Sequence, residues 1–195
     1  MLEKIIQSGT NYLIRHRVVE EEDRDIYEYG FHMLYNNLIT IAAVCVIAIW
    51  LNMVPEVIVY HIVFICLRNS AGGYHSKTYL RCFFMSTCIL LLSLIGISHI
   101  NSPILNIVFA CLSVLLIWYK APVEHENSPL STEKRKKLKR ISRVLSLLFL
   151  VVLLLFNFAP VTYRWVATSL AFGMVSHAIL FGAALLEAKF YKKTA

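Results

Sequence analysis

The sequence predicts an all-α integral membrane protein with about six transmembrane helices and an N-terminal amphipathic helix lying at the interface. Three observations support this. The first is composition: of 195 residues, 58% are hydrophobic and only 16% are charged, and the mean hydropathy is +0.63. Soluble domains run at about 45–50% apolar and about 25% charged, so this chain has too little polar surface to cover itself in water. The second is a succession of long apolar runs separated by short polar breaks. The third is the distribution of Lys and Arg, which are abundant in every other connection and sparse in those between.

The elements follow in order. Residues 1–31 are mixed. Leu2, Ile5, Ile6 and Leu13 fall on one helical face, with Lys4, Arg15 and Arg17 able to reach headgroups, as in an interfacial helix. An acidic stretch from Glu20 to Asp25 follows, which must be solvated. The apolar runs are Met33–Leu51, Val54–Leu67, Tyr79–Ser98, a fourth ending near Tyr119, Val144–Ala159 and Trp165–Ala188. The second is short: at about 1.5 Å per residue it falls below the roughly 30 Å of a hydrocarbon core. Pro103 suits the first turn of the fourth helix. Residues 68–82 form a polar break and helix start, and residues 120–143 read as a basic loop. The whole chain, 1–195, is expected to be one membrane domain.

Basic residues crowd the N-terminal segment, the break after the second run (Arg68, Lys77, Arg81), the stretch Lys120–Arg143 and the C-terminal tail (Lys189, Lys192, Lys193). The intervening turns carry only Arg164. Six crossings of the plasma membrane with both termini inside satisfy the positive-inside rule, and they make the short second run a true crossing. The net charge of +7 is thus assigned to cytoplasmic loops and lipid headgroups, and no nucleic-acid partner is expected. Residues 1–11 show no apolar core or small-residue cleavage site of a secretory leader. Of the five cysteines, Cys45, Cys66, Cys88 and Cys111 sit in apolar runs as small hydrophobes. No ligand spacing for a metal occurs, and no cofactor is expected.

Cys82 differs from the other four. Arg68, Gly72, Gly73, His75, Lys77, Arg81 and Cys82 fall within fifteen positions of one polar break. A thiol attacks as thiolate; nearby cations lower its pKa, and an imidazole can take its proton. On an unbroken helix His75 and Cys82 would stand roughly 10 Å apart. The glycine pair permits a turn that brings His75 back toward the first turn of the next helix, where the helix dipole also favours thiolate. A Cys near a His is ordinarily coincidence, and Gly-Gly before a helix is ordinarily a connection. It is the combination, in an energetically costly polar break, that favours an active site. A small membrane transporter or a non-catalytic scaffold remains the alternative at this level. The other polar residues take structural readings. His61, His99 and His177 are expected to be satisfied by helix neighbours, Asn106, Asn157 and Ser176 to bond between helices, and Gly173 and Gly182 to let helices approach.

Arg68-x-x-x-Gly72-Gly73-x-His75, six residues and then Cys82 resembles the accessory gene regulator B (AgrB) family of membrane cysteine endopeptidases. So does the stretch Ala121–Leu130 ahead of the Lys/Arg cluster, together with the chain length. The resemblance implies an AgrD-like precursor peptide as partner, with an amphipathic leader, a short middle segment and an acidic tail. It further implies Cys82 as nucleophile and His75 as base and then acid, with removal of the tail through a thioester and closure of a lactone or thiolactone ring. Arg68 would pair with substrate or steady the oxyanion, with Gly72, Gly73, Lys77 and Arg81 around it. The Lys134–Arg143 cluster could complement an acidic tail, although topology and lipid binding account for those charges as well. A homodimer in the cell membrane, with its active site on the cytoplasmic side, completes the expectation.

Overall fold

Among the residues that the computed structural model describes (2–73, 79–100, 102–123 and 131–194), every regular element is helical. The long helices are α1 (Leu2–Arg15), α2 (Arg24–Trp50), α3 (Val54–Ala71), α4 (Tyr79–His99), α5 (Pro103–Lys120), α6 (Thr132–Asn157) and α7 (Arg164–Thr194). Short 3-10 turns at Glu21–Asp23 and Val161–Tyr163 lead into α2 and α7. Each expected apolar run corresponds to one of α2–α7, with Leu51 falling just past the end of α2 and Phe158 and Ala159 just past the end of α6. Four of the described helices, α2, α3, α5 and α7 with their flanks, are long and apolar enough to cross a membrane. In α4 the apolar stretch Phe83–His99 is shorter.

Two element boundaries differ from expectation. The segment read as a basic loop is helical from Thr132 onward. Lys and Arg are good helix formers and neither Gly nor Pro interrupts them. The Ser131 hydroxyl accepts from the Lys134 N–H at 3.3 Å as N-cap. The apolar half of α6, residues 144–157, is therefore only about 21 Å long. Likewise α3 runs through Arg68 to Ala71, past the polar boundary, because Leu67 and Ala71 are fully buried and hold the last turn in place.

The chain divides into two compact units, 1–50 and 51–195. In the first, α1 buries Ile6 and Thr10 and leaves Ile5 and Tyr12 exposed. Arg24 joins its parts: its guanidinium donates to Glu21 at 2.6 and 3.1 Å, to Asn11 at 2.9 Å and to Glu28 at 3.5 Å.

In the second unit α7 is the central helix, packed on α3, α4, α5 and α6. The contacts fix direction. Phe172 meets Gly96 while Ser176 shares a 2.9 Å hydrogen bond with Ser93, so α4 and α7 are antiparallel. Arg143 reaches the end of α5 at Trp118 while Asn157 reaches its start at Pro103, so α5 and α6 are antiparallel too. Beside a buried apolar core that includes Val114, Ile117 and Leu153, these helices bury small and polar side chains and expose large apolar ones. On α5, Asn106, Ala110 and Ser113 are buried whereas Ile104, Val108, Leu112 and Leu115 are exposed. On α6, Ser142, Ser146 and Asn157 are buried whereas Val144, Leu148, Val151 and Leu155 are exposed. Helices that face lipid with their apolar side and one another with small and polar side chains give this arrangement.

The two asparagines and Ser176 bond between helices as expected. The Asn106 amide donates to Asn157 at 3.3 Å and to the Thr168 hydroxyl at 3.1 Å, and Asn157 donates to the Pro103 carbonyl at 3.1 Å. The two glycines of α7 part company. A Cβ on Gly173 would lie 2.9 Å from the Tyr60 carbonyl oxygen and 3.1 Å from Val63, so α3 and α7 touch there. Gly182 has nothing within 4 Å, which corrects the expectation that it too marks a close approach. Gly173→Ala should therefore force α3 from α7 and destabilise by about 1–3 kcal/mol. Gly182→Ala should be neutral or stabilise by up to about 1 kcal/mol, through helix propensity. Thermal unfolding of the two variants in mild detergent checks the contrast, and equal loss in both would contradict it.

Candidate functional site

The site begins at the end of α3. Arg68, half-buried, extends its guanidinium over the Phe64 ring, 5.9 Å from its centroid. Ser70 bonds back to the Cys66 carbonyl at 2.8 Å. Gly72 then stops the helix with φ 85° and ψ −173°, a backbone region essentially reserved for glycine. Its N–H donates to the Arg68 carbonyl at 3.1 Å, so Gly72 contributes conformation here rather than a free donor. Gly73 has ordinary room: a Cβ there would meet only Arg68 Cγ, at 3.8 Å.

Two remote parts of the chain close on this turn. The first is the segment after α5. Ala121 continues the helix's hydrogen bonding, the Ala121–Pro122 bond is cis, and the Val123 N–H donates to the Ala71 carbonyl at 3.0 Å. The Val123 carbonyl oxygen lies 2.8 Å from where a Cβ on Gly72 would stand. The turn is thus pinched from outside as well as strained from within. This contact brings residues 121–123, the start of the Ala121–Leu130 stretch, to the glycine turn; residues 124–130 lie outside the described residues.

The second is His177 of α7. Its Nε2–H donates to the Gly72 carbonyl at 3.0 Å, across 105 positions of sequence. The ring is 1% exposed and tilts against Phe181, with centroids 5.6 Å apart. Because a carbonyl can only accept, the bond assigns the proton to Nε2 and leaves Nδ1 a bare acceptor. Nδ1 is buried with no partner among the described residues. His177 was expected to be satisfied by helix neighbours, and its partner is the carbonyl at the end of the neighbouring α3, where it anchors the motif's turn. Its signal in the sequence is an imidazole inside an apolar run, where a polar group is costly. By contrast His61 and His99 bond to carbonyls of their own helices, at Val57 and Ile95, each at 2.9 Å.

The expected reactive pair lies largely outside the described residues. His75 and Lys77 lie outside the described residues, and of Cys82 the backbone is described. That backbone places Cys82 in the first turn of α4, three residues after Tyr79, with Arg81 beside it and exposed. A helix N-terminus is a favourable environment for a thiolate. Arg68, Gly72 and Gly73 are gathered at the end of α3 with His177 and Val123.

The turn makes a sharp contrast testable. Gly72→Ala should cost about 1–3 kcal/mol from backbone strain alone, with the Val123 contact in addition, whereas Gly73→Ala should cost well under that. Unfolding midpoints of the detergent-solubilised variants measure both, and a tolerant Gly72 would refute the geometry.

The sequence profile described as accessory gene regulator B matches residues 6–184. Among curated proteins, the chain is 26% identical over 188 residues to an AgrB-like protein of Clostridium perfringens (strain SM101, type A), covering 89% of this chain and 85% of that one. It is 27% identical to AgrB-like protein 2 of Clostridium perfringens strain 13, over 80% and 79% of the two chains. It is 29% identical to an AgrB-like protein of Listeria innocua, over 72% and 70%. No solved structure matches the chain. With its helical membrane-type architecture, the Arg68–Cys82 motif and a match running nearly end to end, the chain belongs to the accessory gene regulator B family.

Proposed function

We propose that this protein is a membrane-embedded cysteine endopeptidase that matures a quorum-sensing propeptide of the AgrD type. One observation carries the reading. In a chain of this family, the one cysteine in cationic surroundings stands in the first turn of α4, eleven positions after α3 ends at Ala71 in a turn that only glycine can make. In the proposed reaction the Cys82 thiolate attacks the carbonyl carbon at the end of the peptide's middle segment. The C–N bond breaks, and the acidic tail leaves as an amine carrying the proton that His75 took from the thiol. The thioester keeps the acyl group activated. A Cys or Ser side chain of the bound peptide then displaces Cys82, closing the ring and restoring the thiol. Water must be kept from the thioester, and a site recessed between helix ends serves that end.

Arg68, Lys77 and Arg81 supply positive charge for the peptide's tail and for the developing oxyanion. His177 and Val123 act at one remove, through the Gly72 turn. The topology that fits is six crossings, with both termini, the 68–82 segment and the basic start of α6 on the cytoplasmic side. The alternating directions of helices within the second unit support it, as does the alternation of basic connections. A homodimer is part of the reading, because so small a set of helices has little room to enclose both a peptide and a dry thioester.

In liposomes holding the full chain and a synthetic precursor, Cys82→Ala and Cys82→Ser should release no tail while still inserting. Alanine at Cys45, Cys66, Cys88 or Cys111 should leave cleavage largely intact. Tail release by either Cys82 variant removes the proposal. The pH dependence of Cys82 alkylation tests His75. In the wild type the rate should rise through the joint titration of the pair. In His75→Ala it should climb only near the free-thiol range, around pH 8.5. An unshifted profile would show that the imidazole does not activate the thiol.

A further inference from the structure

Beside the site, where α5 ends and α6 begins, lies an open groove of about 320 Å³ lined by Trp118, Lys136, Lys139, Arg140, Arg143, Val144 and Leu147. The α6 residues recur three and four apart, so they form one stripe down the helix, cationic above and apolar below. The change of character is abrupt. Residues 134–143 hold seven Lys and Arg, and no charged residue follows until Arg164. On the neighbouring helix the apolar run ends in Trp118, Tyr119 and Lys120. Two helices thus place the boundary between water and hydrocarbon at the same level.

Arg143 locks them together at that level. Its Nη2–H and Nε–H both donate to the Trp118 carbonyl, at 2.8 and 3.3 Å, and its guanidinium sits over the Trp118 ring, 4.6 Å from the centroid. The mouth of the groove is therefore preformed. Lys136, Lys139 and Arg140 are exposed above it, and none has an acidic partner among the described residues.

We propose that this groove binds an anionic phospholipid. Lys136, Lys139 and Arg140 hold the phosphate, and an acyl chain lies along Val144, Leu147 and the edge of Trp118. Charge complementarity calls for an anion, and the apolar lower half calls for one that carries hydrocarbon. An acidic peptide tail would meet the cations but gain nothing from Val144 and Leu147. Lysine suits the task because its ammonium is a mobile point charge that adapts to a phosphate of variable tilt. The inference stands independently of the protease reading.

Tryptophan quenching tests it. In a Trp50→Phe, Trp165→Phe background of the full chain, Trp118 is the sole reporter. In phosphatidylcholine nanodiscs, 10 mol% of a chain-brominated phosphatidylglycerol should quench Trp118 several-fold more than the same fraction of brominated phosphatidylcholine. The triple change Lys136→Gln, Lys139→Gln, Arg140→Gln should abolish the preference. The charge-matched change Lys134→Gln, Arg135→Gln, Lys137→Gln should keep most of it. Equal quenching by the two lipids overturns the proposal without recourse to any charge variant. Equal loss in both triple variants overturns it in favour of diffuse charge attraction. Protection of Trp118 by micromolar hexaglutamate overturns it in favour of an acidic peptide.

Discussion

Gly72 sits where three helices must agree. Its left-handed backbone ends α3, its N–H closes on Arg68, and its carbonyl is the acceptor for His177 of α7. Its missing Cβ leaves room for the Val123 carbonyl that follows α5. Each contact presupposes the others. A side chain at this position would displace the Val123 segment, and a displaced turn would leave a buried imidazole without its partner, which is costly in an apolar interior. The register of α3, α5 and α7 at this end is thereby set by one residue without a side chain.

The opposite end of the second unit is held by different chemistry. Asn106, Asn157 and Thr168 form a hydrogen-bonded cluster across α5, α6 and α7. Where hydrocarbon surrounds a protein, apolar burial does not by itself hold helices together. Close backbone approach and polar bonds between helices contribute instead. Gly173 against α3 and Gly96 against Phe172 supply the close approach, and the asparagine cluster and the Ser93–Ser176 pair supply the bonds. The central helix α7 takes part in all of them, which is why its middle, from Ala167 to Met174, is buried all round.

The helices and their order were legible in the sequence because hydropathy is a property of single segments. The interhelical roles of Asn106, Asn157 and Ser176 were legible too, since a polar residue in an apolar run has few other options. Boundaries were less so. Arg68 and Asn69 look like a break, yet Leu67 and Ala71 beneath them keep α3 wound. The Lys/Arg cluster looks like a loop, yet nothing in it opposes helix. What could not be read was anything depending on a distant partner. Gly173 and Gly182 look alike in sequence and differ only in what stands opposite. The Gly72–Gly73 pair was recognisable as a place where the helix could stop, but not that Gly72 is the one with the positive φ. His177 announced itself as an odd residue without saying that its partner lay 105 positions away.

That separation also imposes an order of events on biosynthesis. Gly72 and Cys82 emerge early, whereas the imidazole that donates to the Gly72 carbonyl lies on α7, 105 positions after it. Until α7 has inserted beside α3, the Gly72 carbonyl lacks its His177 donor, and only the bonds from Gly72 to Arg68 and from Val123 to Ala71 hold the turn. The end of α3 therefore acquires its full set of contacts only once α7 has been made. A chain truncated before α7 carries Arg68, Gly72 and Gly73 without the bond that fixes the Gly72 carbonyl.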